Sequence, residues 1–208
     1  LTKTTINNAF HHAFIGWGPA NGATSPTDPV FVGMSGFVIT DSIFHHNYNA
    51  AMTTGTGSAV AKILASVNLV YDNNESYSNN GPGLWMDGAN FGYNITNNYF
   101  HDQTNLGAGH SASMGLHVEI SWYGTVEHNV FINNVFEGLG IDNTSGMLAT
   151  NNLFYQNRRG IVLSNNDRGA AFFMHDVSII GNYFKDWDTF AAIEPIGPYL
   201  TDANVESL

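Results

Sequence analysis

Gly115-Leu116-His117-Val118-Glu119 decides the fold of this chain, because it has the pattern of a short strand with one apolar and one polar face. Leu116 and Val118 share one face, whereas His117 and Glu119 share the other, since side chains alternate along a strand. Residues 83–87 and 138–142 repeat the pattern, and each copy ends in a carboxylate on its polar face. How these copies lie relative to one another determines what the carboxylates can do.

Composition restricts the partners of the chain. It has 208 residues, enough for one domain with a sizeable core. Only six residues are Lys or Arg, and the net charge is -11. Binding of nucleic acid rests on neutralising phosphates with basic side chains, so this balance argues against it. No apolar run is long enough for a membrane span, and the lack of cysteine excludes disulfides.

A short unit, Asn followed two residues later by Phe, recurs along the chain. Counting two degenerate copies, it predicts seven equivalent positions: Phe10, Phe44, Ser76, Phe100, Phe131, Phe154 and Phe184. An apolar or β-branched residue mostly lies five positions earlier, and in four copies an Asn follows three positions later. Such short units cannot bury an apolar face alone. Stacked coils solve this, with Phe on Phe and each corner Asn hydrogen-bonded to the next.

With these columns, the sequence resembles the right-handed parallel β-helix proteins of the pectate-lyase-like superfamily. The resemblance implies an all-β solenoid of about seven coils over residues 5–194, in one domain spanning residues 1–208, with residues 195–208 as an exit segment. It also implies a carbohydrate context and an extracellular location, secreted or at the cell surface. The motifs expected of lyases, polygalacturonases and alginate epimerases of this fold are absent, so no named substrate is implied.

The two ends and four insertions interrupt the repeat. We find neither a signal peptide nor a polar cap, which predicts that the chain is a piece of a longer protein whose ends stack on neighbouring domains or subunits. The insertions, at residues 18–36, 54–66, 103–113 and 165–175, are rich in small and polar residues and are predicted to be loops. Loops beside one face of a rigid scaffold commonly flank a binding groove.

Placing the Gly-initiated strands on adjacent coils predicts a column of outward side chains: Asp87, Glu119, Asp142, Ser164 and Glu194. Neighbouring strands are about 4.8 Å apart, so facing carboxylates would resist simultaneous ionisation and one pKa would rise. Split pKa values suit general acid and base chemistry. We therefore predict Glu119, Asp87 and Asp142 as catalytic residues, with Glu119 first because it pairs with either neighbour. Adjacent carboxylates match the spacing of retaining glycosidases, about 5–5.5 Å, whereas Asp87 with Asp142 matches the inverting spacing.

Four aromatic or imidazole side chains are predicted to contact the substrate. An outward Trp85 offers an apolar plate for a sugar ring. His117, beside Glu119, is placed to hydrogen-bond a hydroxyl or to set the charge of the cluster. Trp122 and Tyr123 follow the same strand and are predicted to form a rim.

The adjacent basic pair Arg158-Arg159 is predicted to approach Asp142 from the next coil, as an ion pair or as a contact to an acidic sugar. Three carboxylates and few basic residues favour a glycoside hydrolase that acts on a neutral glycan and requires no cofactor. A polysaccharide lyase with bound Ca²⁺, or a Ca²⁺ site without turnover, stays open because stacked carboxylates suit that ion. So does a non-catalytic β-helix of a surface fibre, adhesin or filament.

Overall fold

The computed structural model describes residues 1–9, 14–17, 34–47, 60–104, 113–169, 172–186, 192–196 and 206–207. These residues form three parallel sheets, and each successive coil adds one strand to every sheet. The predicted all-β parallel β-helix is therefore confirmed. Within the described ranges, no helix has the length and apolar character that crossing a membrane requires.

Sheet 1 contains the longest strands and the candidate site. In spatial order its main strands are β2 (Phe14–Trp17), β6 (Ala61–Leu64), β10 (Leu84–Phe91), β13 (Leu116–Trp122), β16 (Glu137–Asp142), β19 (Arg159–Ser164) and β22 (Ile193–Ile196). Two short strands, β3 (Met34–Ser35) and β7 (Ser66–Val67), pair with each other beside it, and β7 also pairs with β10.

Sheets 2 and 3 consist of short strands with their middle residue facing inward. Sheet 2 contains β4 (Val38–Thr40), β8 (Val70–Asp72), β11 (Asn94–Thr96), β14 (Thr125–Glu127), β17 (Leu148–Thr150), β20 (Ser178–Ile180) and β23 (Glu206–Ser207). Sheet 3 contains β1 (Thr5–Asn7), β5 (Ile43–His45), β9 (Glu75–Tyr77), β12 (Tyr99–His101), β15 (Val130–Ile132), β18 (Leu153–Tyr155) and β21 (Tyr183–Lys185).

The inward face of sheet 3 stacks one predicted Phe-column residue per coil. From the second coil onward the predicted residues share one register position: Phe44, Ser76, Phe100, Phe131, Phe154 and Phe184. The Phe131 ring lies 4.8 Å from that of Phe154. In the first coil the prediction is wrong, because Phe44 pairs with Ile6, and Phe10 lies outside the described residues. Backbone pairing fixes this register, since the Ile43 N–H donates to the Thr4 carbonyl at 2.8 Å.

Asparagine side chains hold the corner between sheets 2 and 3. Asn129 Nδ2 donates to the Ile95 carbonyl at 2.9 Å and to Asn152 Oδ1 at 3.0 Å. Asn98 makes the same two contacts one coil earlier, with the Tyr71 carbonyl and with Asn129. Each buried amide thus satisfies backbone and side-chain groups that the turn would otherwise leave unpaired.

Close packing requires the glycine that lies just before β10 and β13 and at the second position of β16 and β19. A Cβ atom at Gly115 would lie 2.7 Å from the Gly138 carbonyl oxygen and 2.7 Å from Phe131 Cδ1. At Gly138 it would lie 2.6 Å from Phe154 Cδ1. The glycine column of sheet 1 and the phenylalanine column of sheet 3 therefore depend on each other.

Three boundaries differ from the prediction. The predicted loop at 54–66 contains β6 and the first residue of β7, so sheet 1 includes a strand before the first Gly-initiated copy. Glu194 pairs with Val162 instead of Ser164, two positions away from the carboxylate column, because, counted to paired positions, the chain from Phe184 to β22 is two residues longer than the chain from Phe154 to β19. Within the predicted exit segment, β22 extends to Ile196 and β23 pairs with β20.

Candidate functional site

An open cleft of about 570 Å³ lies on the outward face of sheet 1. Side chains of β10, β13, β16 and β19 line it, together with Met114, Arg168 and Ile196. Because the strands lie side by side, the cleft brings together residues from five successive coils, Ile196 belonging to β22.

The three predicted catalytic carboxylates lie on consecutive strands of this cleft. Asp87 pairs in register with Glu119, and Glu119 pairs with Asp142. All three line the cleft. Their catalytic roles stay predictions, but the spatial arrangement on which those roles depend is present.

Glu119 is buried at the centre of the column, with 6% of its surface exposed. Its Oε1 atom accepts a hydrogen bond from Arg168 Nη2 at 2.7 Å, and its Oε2 atom accepts one from Trp85 Nε1 at 3.1 Å. Burial, followed by the charges of Asp87 and Asp142, raises the pKa of Glu119 to about 7. Near neutral pH this group can therefore hold or release a proton, as a general acid or base must.

Asp87 and Trp85 are held by a residue that was not predicted. Lys62 Nζ lies 2.6 Å from Asp87 Oδ2 and 3.6 Å from the centroid of the Trp85 ring. On the other side of β10, His117 stacks on Trp85 with ring centroids 5.2 Å apart. Both faces of the indole are therefore covered, and the prediction of an open plate for a sugar ring is wrong. Trp85 instead orients Glu119 through its N–H group.

His117 lines the cleft as a neutral imidazole. Burial lowers its pKa to about 4. Its Nδ1 atom is buried and has no hydrogen-bond partner among the described residues. Its register partner on the next strand is Gly140, which brings no side chain beyond a hydrogen. A ligand hydroxyl in the cleft would satisfy such an atom, so the binding role stays a prediction.

Asp142 contacts the segment that follows β19. Asn166 Nδ2 donates to its two carboxylate oxygens at 3.1 and 3.3 Å. Burial raises the pKa of Asp142, whereas the charge of Arg168 and the hydrogen bonds from Asn166 and Ser164 oppose the rise. Two adjacent carboxyls with raised pKa values thus lie at the centre of the cleft.

The prediction for Arg158 and Arg159 needs correction. Arg159 Nη1 donates to Glu137 at 2.7 Å, and the same guanidinium forms an ion pair with Glu194. Arg158 lies over the Phe136 ring, 5.3 Å from its centroid. The guanidinium close to the carboxylate column belongs to Arg168.

The predicted aromatic rim is also wrong. Trp122 is buried, with 4% of its surface exposed, and it packs against Ala65 and Ala89 in a small second core. Tyr123 is half exposed, but it follows the end of β13 and packs edge-on to Phe91. Neither side chain lines the cleft.

Sequence reasoning missed Lys62, Glu137 and Arg168. Arg168 had a usable signal, because it is the only Lys or Arg in the 165–175 insertion, directly after the Ser164 position of the carboxylate column. Lys62 was hidden in a stretch predicted to be a loop. Glu137 precedes Gly138, and its importance depends on the register that pairs it with Arg159.

The described residues contain no group of three or more His, Asp or Glu side chains arranged to hold a metal ion. Protein groups already contact the cleft carboxylates: Lys62 with Asp87, Arg168 with Glu119, Asn166 with Asp142 and Arg159 with Glu137.

Comparison with known proteins agrees with the fold. The family described as a right handed beta helix region matches residues 30–194. The enzymatically active domain of tailspike protein 2 from bacteriophage CBA120 is similar, with a TM-score of 0.59 and 12% identity over 88% of this chain and 23% of that one. The periplasmic alginate epimerase AlgG is similar with a TM-score of 0.55 and 16% identity, over 84% of this chain and 40% of its own. At these identities the likeness concerns the fold alone. None of the curated proteins compared with the chain has a significantly similar sequence.

Proposed function

Because the chain belongs to the right handed beta helix family, whose model matches residues 30–194, we propose that it is a polysaccharide-processing domain and, more specifically, a glycoside hydrolase. The observation that carries the proposal is Glu119, a buried carboxyl between two others on adjacent strands of an open cleft. Its pKa of about 7 allows it to carry a proton at neutral pH. The tailspike domain and the alginate epimerase lend support, since the latter is named for a polysaccharide.

Glu119 and Asp142 are the reacting pair in this proposal. Asp87 is paired with the Lys62 ammonium at 2.6 Å, whereas Asp142, the other neighbour of Glu119, is held by the neutral amide of Asn166. Protonated Glu119 donates its proton to the glycosidic oxygen as the bond to the leaving sugar breaks. Ionised Asp142 attacks the anomeric carbon and forms a glycosyl–enzyme ester. Water then hydrolyses the ester, while Glu119 takes the proton back.

The spacing of the pair favours retention of configuration. Adjacent strands are about 4.8 Å apart, close to the carboxyl separation of about 5–5.5 Å in retaining glycosidases. An inverting mechanism would require room for a water molecule between the two carboxyls. Asp87 and Asp142, which lie two strands apart, would leave that room.

The proposed substrate is a neutral glycan. The proposed location of the protein is extracellular or in the cell envelope. Lys62, Arg159 and Arg168 all contact carboxylates of the protein, so each would have to give up a partner before it could neutralise an acidic sugar. In this proposal a sugar hydroxyl binds beside His117, which lines the cleft and whose Nδ1 atom has no hydrogen-bond partner among the described residues.

The first test measures release of reducing ends from a panel of neutral and acidic glycans. The wild-type protein should cleave at least one neutral glycan, and Glu119→Gln should reduce the rate by about a hundredfold or more, because general acid catalysis contributes about 10²–10⁴-fold. Circular dichroism of the variant should show an unchanged β-fold. If the wild-type protein cleaves nothing on the panel, the hydrolase proposal fails and the non-catalytic alternative gains support.

A further inference from the structure

Arg168 reaches the centre of the cleft from a segment far along the chain. It is 49 residues from Glu119 in sequence, yet its Nη2 atom lies 2.7 Å from Glu119 Oε1. Its side chain is 48% exposed, so it can leave this contact without unpacking the core. The contact thus joins a buried carboxyl to a cation that solvent can reach.

The segment that carries Arg168, residues 165–169, is fixed at its base by Asn143. Asn143 Nδ2 donates to the Asn166 carbonyl at 2.8 Å, and the Asn166 N–H donates back to Asn143 Oδ1 at 3.1 Å. Asn166 also holds Asp142. Because Asn143 directly follows Asp142 at the end of β16, the geometry of the segment is tied to the strand that carries the second reacting group.

Both oxygens of Glu119 already accept an N–H group. Arg168 occupies Oε1 and Trp85 occupies Oε2, and neither side chain has an acceptor that could receive a proton from Glu119. A protonated carboxyl oxygen is a poor acceptor, so a proton on Glu119 displaces one of these donors. Trp85 is held between Lys62 and His117, which leaves Arg168 as the donor that can move.

We propose that Arg168 is a positioning residue that fixes the Glu119 carboxylate against Trp85 and decides whether Glu119 holds its catalytic proton. Contact with Arg168 favours the ionised form of Glu119. When Arg168 leaves Oε1, that oxygen is free to carry a proton into the cleft. The statement that this proton is catalytic rests on the proposed function, whereas the effect of Arg168 on the protonation of Glu119 is measurable without a substrate.

Several other charged groups act on Glu119. Those that line the cleft or contact a charged group of its lining are Asp87 on β10, Lys62 on β6, His117 on β13, Glu137 and Asp142 on β16, Arg159 on β19, and Arg168. The charges of Asp87 and Asp142 raise the pKa of Glu119, and the charge of Arg168 and the Trp85 hydrogen bond lower it. Removal of Arg168 therefore removes a contribution that favours the ionised form.

The test is an NMR titration of Glu119 in protein labelled with carbon-13 at the glutamate carboxyl groups, with Glu119→Gln identifying its signal. Arg168→Gln keeps a hydrogen-bond donor but loses the charge. Its Glu119 midpoint should lie about one pH unit or more above wild type, because a nearby opposite charge lowers a carboxyl pKa by about 1–3 units. Arg168→Lys should restore most of the wild-type midpoint. Arg158→Ala, which removes one positive charge outside the cleft, is the matched control and should leave the midpoint unchanged.

An unchanged midpoint in Arg168→Gln overturns the proposal. So does an equal displacement in Arg158→Ala, because the effect would then reflect net charge alone. If a cleaved glycan is found, the alkaline limb of the pH–rate profile should move to higher pH in Arg168→Gln, by about the same amount as the Glu119 titration midpoint. If no glycan is cleaved, the hydrolase proposal fails, whereas the titration still decides the role of Arg168.

Discussion

At the scale of single residues, three carboxylates in one column have three different environments. Asp87 is paired with a lysine, Asp142 is held by an asparagine amide, and Glu119 is buried between an indole N–H and a guanidinium. The three strands that carry these carboxylates have nearly the same residue types and spacing. The differences in environment therefore come from the side chains that other coils place beside each carboxylate. In the proposed mechanism, these partners make Glu119 the group that carries the proton.

The pKa values of Glu119 and His117 predict opposing effects of pH on stability. The pKa of Glu119 rises from 4.5 to about 7 on folding, so the folded state binds more protons in that window and the free energy of unfolding falls as pH rises through it. The pKa of His117 falls from 6.5 to about 4, so the unfolded state binds more protons there and the free energy of unfolding rises with pH. The two effects offset each other between about pH 4.5 and 6.5.

Glu119→Gln removes one of these two effects. Relative to wild type, the variant should gain free energy of unfolding as pH rises from 4 to 8, by an amount on the order of 3 kcal/mol. Urea denaturation of both proteins at several pH values measures this difference. A difference that stays constant across the range would contradict the environment assigned to Glu119.

The sequence alone predicted that Asp87, Glu119, Asp142 and His117 lie on one face of the stacked strands. The alternation of apolar and polar residues is apparent in each copy of the repeat. Sequence reasoning missed Lys62 and Arg168, since each reaches the column from a segment outside the repeats. It also predicted that Trp85 stacks on the substrate. That prediction was wrong because Lys62 and His117, on the strands to either side, cover the two faces of the indole.

At the scale of elements, the glycine column allows sheet 1 and sheet 3 to meet. Gly138→Ala would place a methyl group 2.6 Å from Phe154 Cδ1 and 3.0 Å from the Gly160 carbonyl oxygen, neither of which is the end of a flexible side chain. We expect a loss of about 1–3 kcal/mol in the free energy of unfolding, as for other overpacked cores. Thermal or urea unfolding measures it.

Gly140→Ala is the matched control, two residues along the same strand. Its new methyl group would meet the Met114 sulfur at 2.5 Å, and Met114 is an unbranched side chain that can rotate away. Its cost should be clearly smaller than that of Gly138→Ala. Equal costs at the two positions would contradict the claim that the phenylalanine column requires the glycine column.

The element boundaries were predictable wherever the repeat is short and regular. The Phe column is correct from Phe44 to Phe184, because the Phe motif and the backbone register coincide there. It fails at Phe10, where the Asn-x-Phe motif matches but hydrogen bonding places Ile6 opposite Phe44. It fails similarly at Glu194, because, counted to paired positions, the chain from Phe184 to β22 is two residues longer than the chain from Phe154 to β19.

At the scale of the whole molecule, the cleft exists only because successive coils stack in register. Several successive coils contribute lining residues to it, and no coil holds the Glu119 environment alone. The solenoid thus acts as a scaffold that converts a repeat along the sequence into a column of interacting charges, and the catalytic proposal depends on that conversion.

The most direct measurement uses the glycan that the protein cleaves in the panel. The cleavage is run in oxygen-18 water, and the products are analysed by mass spectrometry. A hydrolase incorporates one oxygen-18 atom at each new reducing end, and a chelator should not slow the reaction, because protein groups already contact the cleft carboxylates. Products that form an unsaturated sugar without oxygen-18, in a reaction abolished by chelation, would contradict the account and support a Ca²⁺-dependent lyase.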